Sequence, residues 1–116
     1  MRKLKKGRKF GRKRDQRKAF MRDLAVALVK NGRIETTEAR AKELRPFIEK
    51  LVTKSRKNSL YTRRMLAKLF SDDVGLKLLK EIAPKFKNRH GGYTRIIRRA
   101  PRKGDAAPRA IIEFVE

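Results

Sequence analysis

The chain has 116 residues and a mass of 13.6 kDa, and its 35 Lys plus Arg against 12 Asp plus Glu give a formal net charge of +23. Self-repulsion on this scale calls for a polyanionic partner, and a nucleic acid backbone that releases condensed counterions on binding relieves it best. Cysteine is absent, which excludes disulfides, thiolate metal sites and cysteine nucleophiles. No apolar run approaches the roughly 20 residues that span a bilayer, and no secretory leader is legible at Met1, so a soluble protein without a membrane partner is expected.

Residues 1–22 hold twelve basic residues and one acid, Asp15, so nearly half of the net charge lies in the first fifth of the chain. The run from Arg2 to Arg14 contains two glycines, Leu4 and Phe10 as its large apolar residues, and no helical periodicity. It reads as an extended basic arm, residues 1–14, that orders only against an anionic groove. Its cations Arg2, Lys3, Lys5, Lys6, Arg8, Lys9, Arg12, Lys13 and Arg14 are candidate phosphate contacts, and Phe10 between them can stack on an unpaired base. A solvated tail or a localisation signal is the plainer reading of the same run.

Residues 15–116 read as one α+β domain. Asp15 is expected to cap a first helix carrying Phe20, Leu24, Ala27 and Leu28, with Lys30-Asn31-Gly32 as its cationic last turn and left-handed stop. Arg17, Lys18 and Arg22 extend the basic surface onto this helix. Arg33-Ile34-Glu35-Thr36 is a short strand candidate, and Thr36 or Thr37 caps a second helix whose stripe is Leu44, Phe47, Ile48, Leu51 and Val52. Pro46 inside that stripe predicts a kink or a fresh first turn near Arg45. Asn58 or Ser59 opens a third helix with Leu60, Met65, Leu66, Leu69 and Phe70. Ser71-Asp72-Asp73 caps a fourth with Val74, Leu78, Leu79 and Ile82, which Ala83-Pro84 is expected to close.

Beyond Pro84 the period changes to that of strands. Residues 93–99 and 109–115 are rich in β-branched and aromatic side chains, and the turn-forming stretch 101–108 joins them as a hairpin. Ala110, Ile112 and Phe114 share the face expected to cover the helices, and Ile34 is placed to add a third strand. The predicted architecture is therefore two layers: helix, strand, three helices and β-hairpin. Arg95, Arg98, Arg99, Arg102 and Lys103 make the hairpin and its loop a second concentration of positive charge, read as lacking local carboxylates.

Catalytic and metal chemistry find no constellation in this sequence. His90, the only histidine, lies in Lys87-Asn88-Arg89-His90-Gly91-Gly92 with no carboxylate beside it to orient a general base, so Arg89 and His90 read as RNA contacts or solvated loop residues. Gly91-Gly92 allows close approach of backbone to a phosphate, or simply a tight turn. Asp72-Asp73 is a cap and a helix-dipole partner before it is a cation site. Arg63, Arg64 and Lys68 form a basic helix face, solvated or in contact. No phosphate-cradling loop and no paired His/Cys spacing occurs, and no cofactor or small-molecule substrate is expected.

The sequence closely resembles the family of bacterial large-subunit ribosomal protein seventeen, through five stretches in order. They are Gly7-Arg8-Lys9-Phe10-Gly11-Arg12; Arg17 to Ala25; Arg33-Ile34-Glu35-Thr36-Thr37 running on through Ala41 to Arg45; Gly91-Gly92-Tyr93-Thr94-Arg95-Ile96; and Gly104 to Pro108 followed by Ala110 to Glu113. The resemblance implies a non-enzymatic, ribosome-bound protein of a bacterial or plastid compartment. It also implies binding to large-subunit ribosomal RNA near the exit of the nascent-peptide tunnel, with large-subunit proteins thirty-two and twenty-two as neighbours. A basic DNA-binding or histone-like protein is the competing reading, disfavoured because no helix-turn-helix pair with a polar recognition helix and no basic-region heptads are found.

Overall fold

The computed structural model describes residues 14–57 and 59–115. The candidate contacts from Arg2 to Lys13, and Asn58 as a helix opener, lie outside the described residues.

Helix α1 spans Arg14–Asn31. Asp15 does not cap it but sits within its first turn, where a carboxylate complements the positive end of the helix dipole. At the other end Gly32 has φ +78°, and its N–H donates to the Leu28 carbonyl at 2.7 Å. A left-handed residue there lets the chain turn at once into strand β1, Arg33–Thr37.

Thr37 ends β1 and caps helix α2, Glu38–Ser55, its hydroxyl accepting the Arg40 N–H at 3.3 Å. Of the kink or fresh first turn expected at Pro46, the fresh turn is not found, for one helix runs through it. Pro46 is exposed, and Leu44 before it and Ile48 after it are both fully buried. Packing on the two sides holds the helical path across the one missing donor.

Ser59 caps helix α3, Leu60–Leu69, by accepting the Thr62 N–H at 3.2 Å. Helix α4, Asp72–Lys77, does not end at Ala83-Pro84 as expected. It widens into a π-helical turn, Leu78–Ile82, then tightens into a 3-10 turn, Ala83–Phe86. Pro84 falls in the first positions of that last turn, where no N–H is needed. The change of winding keeps Leu78, Leu79, Ile82 and Phe86 all buried.

Strands β2, Thr94–Arg99, and β3, Arg109–Phe114, form the hairpin, and β1 pairs with the far edge of β3, so the antiparallel order is β1-β3-β2. Ile34, Ile112 and Ile96 align across the three strands on the face turned to the helices. The core joins this face to Ala25, Leu28 and Val29 of α1, the stripe of α2, and Leu66, Phe70 and Val74. Leu60, expected in the core, is 63% exposed. Tyr93, not expected there, is fully buried, and its phenol oxygen accepts from Thr53 Oγ1 and Arg56 Nη1, each at 3.1 Å. These partners satisfy the polar end of an otherwise apolar side chain.

Candidate nucleic-acid interface

On α1 the exposed Arg14, Lys18 and Arg22 recur every four residues and so form one ridge, while Arg17 is half-buried. The half-buried Phe20 instead lies under the Arg40 guanidinium, 4.9 Å from the ring centre, which ties α1 to α2.

The second concentration lies on the sheet. Strand alternation and register bring Arg33, Arg95, Arg99 and Arg109 to the outer face with Glu35, Glu113, Ile97 and Ile111. Arg95 Nη2 is 2.7 Å from Glu113, which also faces Arg33 at 3.7 Å; Arg99 and Arg109 flank Glu35 at 3.4 and 3.3 Å. Four arginines against two glutamates leave an excess of two positive charges on this face. Exposed pairs of this kind contribute only about 0.2 to 1 kcal/mol each, so the carboxylates orient the guanidinium groups without withholding them from a phosphate.

Arg98 points to the opposite face at the end of β2 and reaches Glu38 of α2 at 3.3 Å. The hairpin loop is also not free of carboxylates. Asp105 takes both Arg102 Nη2 at 2.6 Å and Arg102 Nε at 3.1 Å, and accepts the Ala107 N–H at 3.1 Å. The Arg102 hydrogen bond, then that from Ala107, holds the Asp105 carboxyl down to about 2. The loop is thus built around one acid, with Lys103 exposed beside it.

In the turn before β2, Arg89 Nε donates to the carbonyls of Gly91 and Gly92 at 3.2 and 3.1 Å, and Gly92 has φ +63°. The glycine pair makes a tight turn wrapped on Arg89. His90 is exposed there. Among the described residues no group of three or more His, Cys, Asp or Glu could hold a metal ion, and no helix is long and apolar enough to cross a membrane.

The structure therefore gathers Arg14, Lys18 and Arg22 on one helix ridge and Arg95 and Arg99 on one sheet face, and it separates Arg98 from them. Sequence reasoning missed Arg33 and Arg109, which the two-residue alternation of β1 and β3 would have found once their register with β2 was known.

Residues 20–115 match the family described as ribosomal protein L17. The chain is 49% identical over 116 aligned positions to the large ribosomal subunit protein bL17 of Shouchella clausii, covering 92% of this chain and 97% of that one. It is 50% identical to the bL17 of Staphylococcus carnosus, covering 93% and 98%, and 53% identical to that of Nautilia profundicola, covering 93% of each. Matches that span nearly the whole length at about half identity leave one assignment: the chain belongs to the ribosomal protein L17 family.

Proposed function

We propose that the protein is a structural component of the bacterial large ribosomal subunit that holds converging segments of its ribosomal RNA together, and that it does no chemistry of its own. Within that role the basic arm, the α1 ridge and the arginine-bearing sheet face neutralise phosphates, and the Gly91-Gly92 turn and the Arg102-Lys103 loop supply further contacts. RNA shape matters here more than sequence. The observation that carries this reading is the outer sheet face, where an excess of arginine is presented on a rigid scaffold in a chain of net charge +23. The resemblance to the family further suggests a place near the exit of the peptide tunnel, beside large-subunit proteins thirty-two and twenty-two, in the cytoplasm.

The test has two parts. In cell lysate the protein is expected to sediment with large subunits at physiological salt. The purified chain should prefer structured large-subunit ribosomal RNA to duplex DNA at equal salt, with affinity falling by about 0.7 to 0.9 logarithmic units per tenfold salt for each phosphate neutralised. Equal binding to duplex DNA would favour the histone-like reading, and affinity independent of salt would overturn the electrostatic mechanism.

A further inference from the structure

A cleft of about 440 Å³ opens where the C-terminal end of α2 meets the π-helical and 3-10 turns, on residues that none of the surfaces above uses. Ser55, Arg56, Lys57 and Lys87 line it together with the apolar Leu79 and Ala83. No carboxylate lines it among the described residues.

Two of these residues bring polar atoms that are shut off from solvent and lack a hydrogen-bond partner among the described residues, Ser55 Oγ and Arg56 Nε. Ser55 is 1% exposed, and a serine so placed in a helix commonly bonds the carbonyl one turn back, which this one does not. The Arg56 guanidinium is fixed on its other side, Nη1 donating to Tyr93 Oη at 3.1 Å and Nη2 to the Lys87 carbonyl at 3.0 Å. Its Nε–H is left over.

We infer that this cleft seats a phosphate group of RNA, gripped by Lys57 and Lys87 and, after a small side-chain adjustment, by Ser55 Oγ and Arg56 Nε. The assignment of RNA as the source rests on the proposed function; the chemistry of the cleft does not. A buried donor without a partner is unfavourable, and an anion that accepts from it removes that penalty. The end of α2 carries about half a negative charge from the helix dipole, and the three cations around the cleft outweigh it. Leu79 and Ala83 make one wall apolar, which strengthens charge-assisted hydrogen bonds inside.

The experiment follows the Arg56 Nε–H resonance of the full chain while inorganic phosphate is added, with chloride and acetate at matched ionic strength, and then while structured large-subunit ribosomal RNA is added. Phosphate is expected to shift the resonance saturably, and RNA to shift it and then to block the phosphate response. Ser55→Ala removes a hydroxyl that bonds nothing, so the fold should be kept, and the exposed pair Lys57→Gln with Lys87→Gln is a second variant that leaves the core alone. Either is expected to weaken phosphate binding roughly tenfold, and the lysine pair should lower the RNA salt slope by about one phosphate.

A resonance that answers phosphate no more than chloride would assign the cleft to solvent and overturn the inference. An equal response to acetate would point to a carboxylate of a neighbouring protein and overturn it too. A phosphate response with RNA bound elsewhere would reduce the cleft to a free-anion site. If the wild type does not bind RNA at all, the proposed function fails together with the source assigned here, while the phosphate titration still decides the chemistry of the cleft.

Discussion

Leu44 and Leu60 are both leucines on helical stripes, and the fold treats them oppositely. Leu44, on α2, is fully buried in the core, whereas Leu60 opens α3 with most of its surface in water. Leu44→Ala should therefore lower stability by about 2 to 5 kcal/mol, since lost transfer and a residual cavity add. Leu60→Ala should change it by less than about 0.5 kcal/mol. Urea unfolding midpoints of the two variants check the contrast, and equal shifts would mean that the inward face has been misplaced. A second residue-scale expectation concerns Asp105, whose carboxyl is held at about 2 by Arg102 and the Ala107 N–H. Because its folded value lies below the ordinary one of 3.8, whatever order the pair gives the loop is present above that ordinary value and is lost as pH falls toward 2. Carboxyl resonances followed through an acid titration should give that midpoint, and Arg102→Gln should move it back toward 3.8.

Thr37 and Ser59, whose hydroxyls cap α2 and α3, and Ser71, which takes the N-cap position of α4 without a side-chain cap bond, each lie where a short hydroxyl residue precedes an apolar stripe, and these starts were legible in the sequence. The stops and interruptions were not. Pro46 read as a kink or a fresh turn and Pro84 as a stop, yet the helix runs on through the first and the second begins a new turn, and only the tertiary setting separates these outcomes. The sheet face was half legible for a similar reason. Two-residue alternation along β2 is enough to set Arg95 and Arg99 on one face and Arg98 on the other, but Glu35 lies 74 residues before its partner Arg109, and a pairing that distant needs the register. Arg33 and Arg99 are the more exposed members of the two clusters, and their removal leaves Glu113 with Arg95 and Glu35 with Arg109. Changing both to Gln should leave the unfolding midpoint within about 1 kcal/mol of wild type. The same variant should lower the RNA salt slope by about one to two. An unchanged slope would show that the phosphates bind elsewhere.

For the whole molecule, the fold class, the order of elements and the family were readable from periodicity and motif alone, because helical stripes and alternating strands report burial directly. Charge is distributed differently from the core. The core begins with the α1 residues packed on α2 and the sheet, whereas eight basic residues precede Arg14 and belong to no described element. Removing residues 1–13 should keep the helical circular dichroism and the unfolding midpoint, and should reduce both RNA affinity and its salt slope. Filter binding at several salt concentrations measures the second pair. A truncated chain with undiminished affinity would make the arm a solvated tail and leave recognition to the α1 ridge and the sheet.

The strand order has a consequence for biogenesis. The middle strand of the sheet is the last in the chain, so Thr37 must wait for Arg109, seventy-two residues later, and β2 waits for the same strand. Helices can form locally as they are translated, but β1 and β2 have no neighbour to pair with until β3 is made, and the part of the α2 apolar face that packs on the sheet stays uncovered until then. Synthesis that stops before Arg109 should yield a helical, protease-sensitive species without cooperative unfolding, and limited proteolysis of such a product against the full chain tests this. Completion of β3 thus acts as the checkpoint at which a nascent polycation acquires a finished, degradation-resistant body.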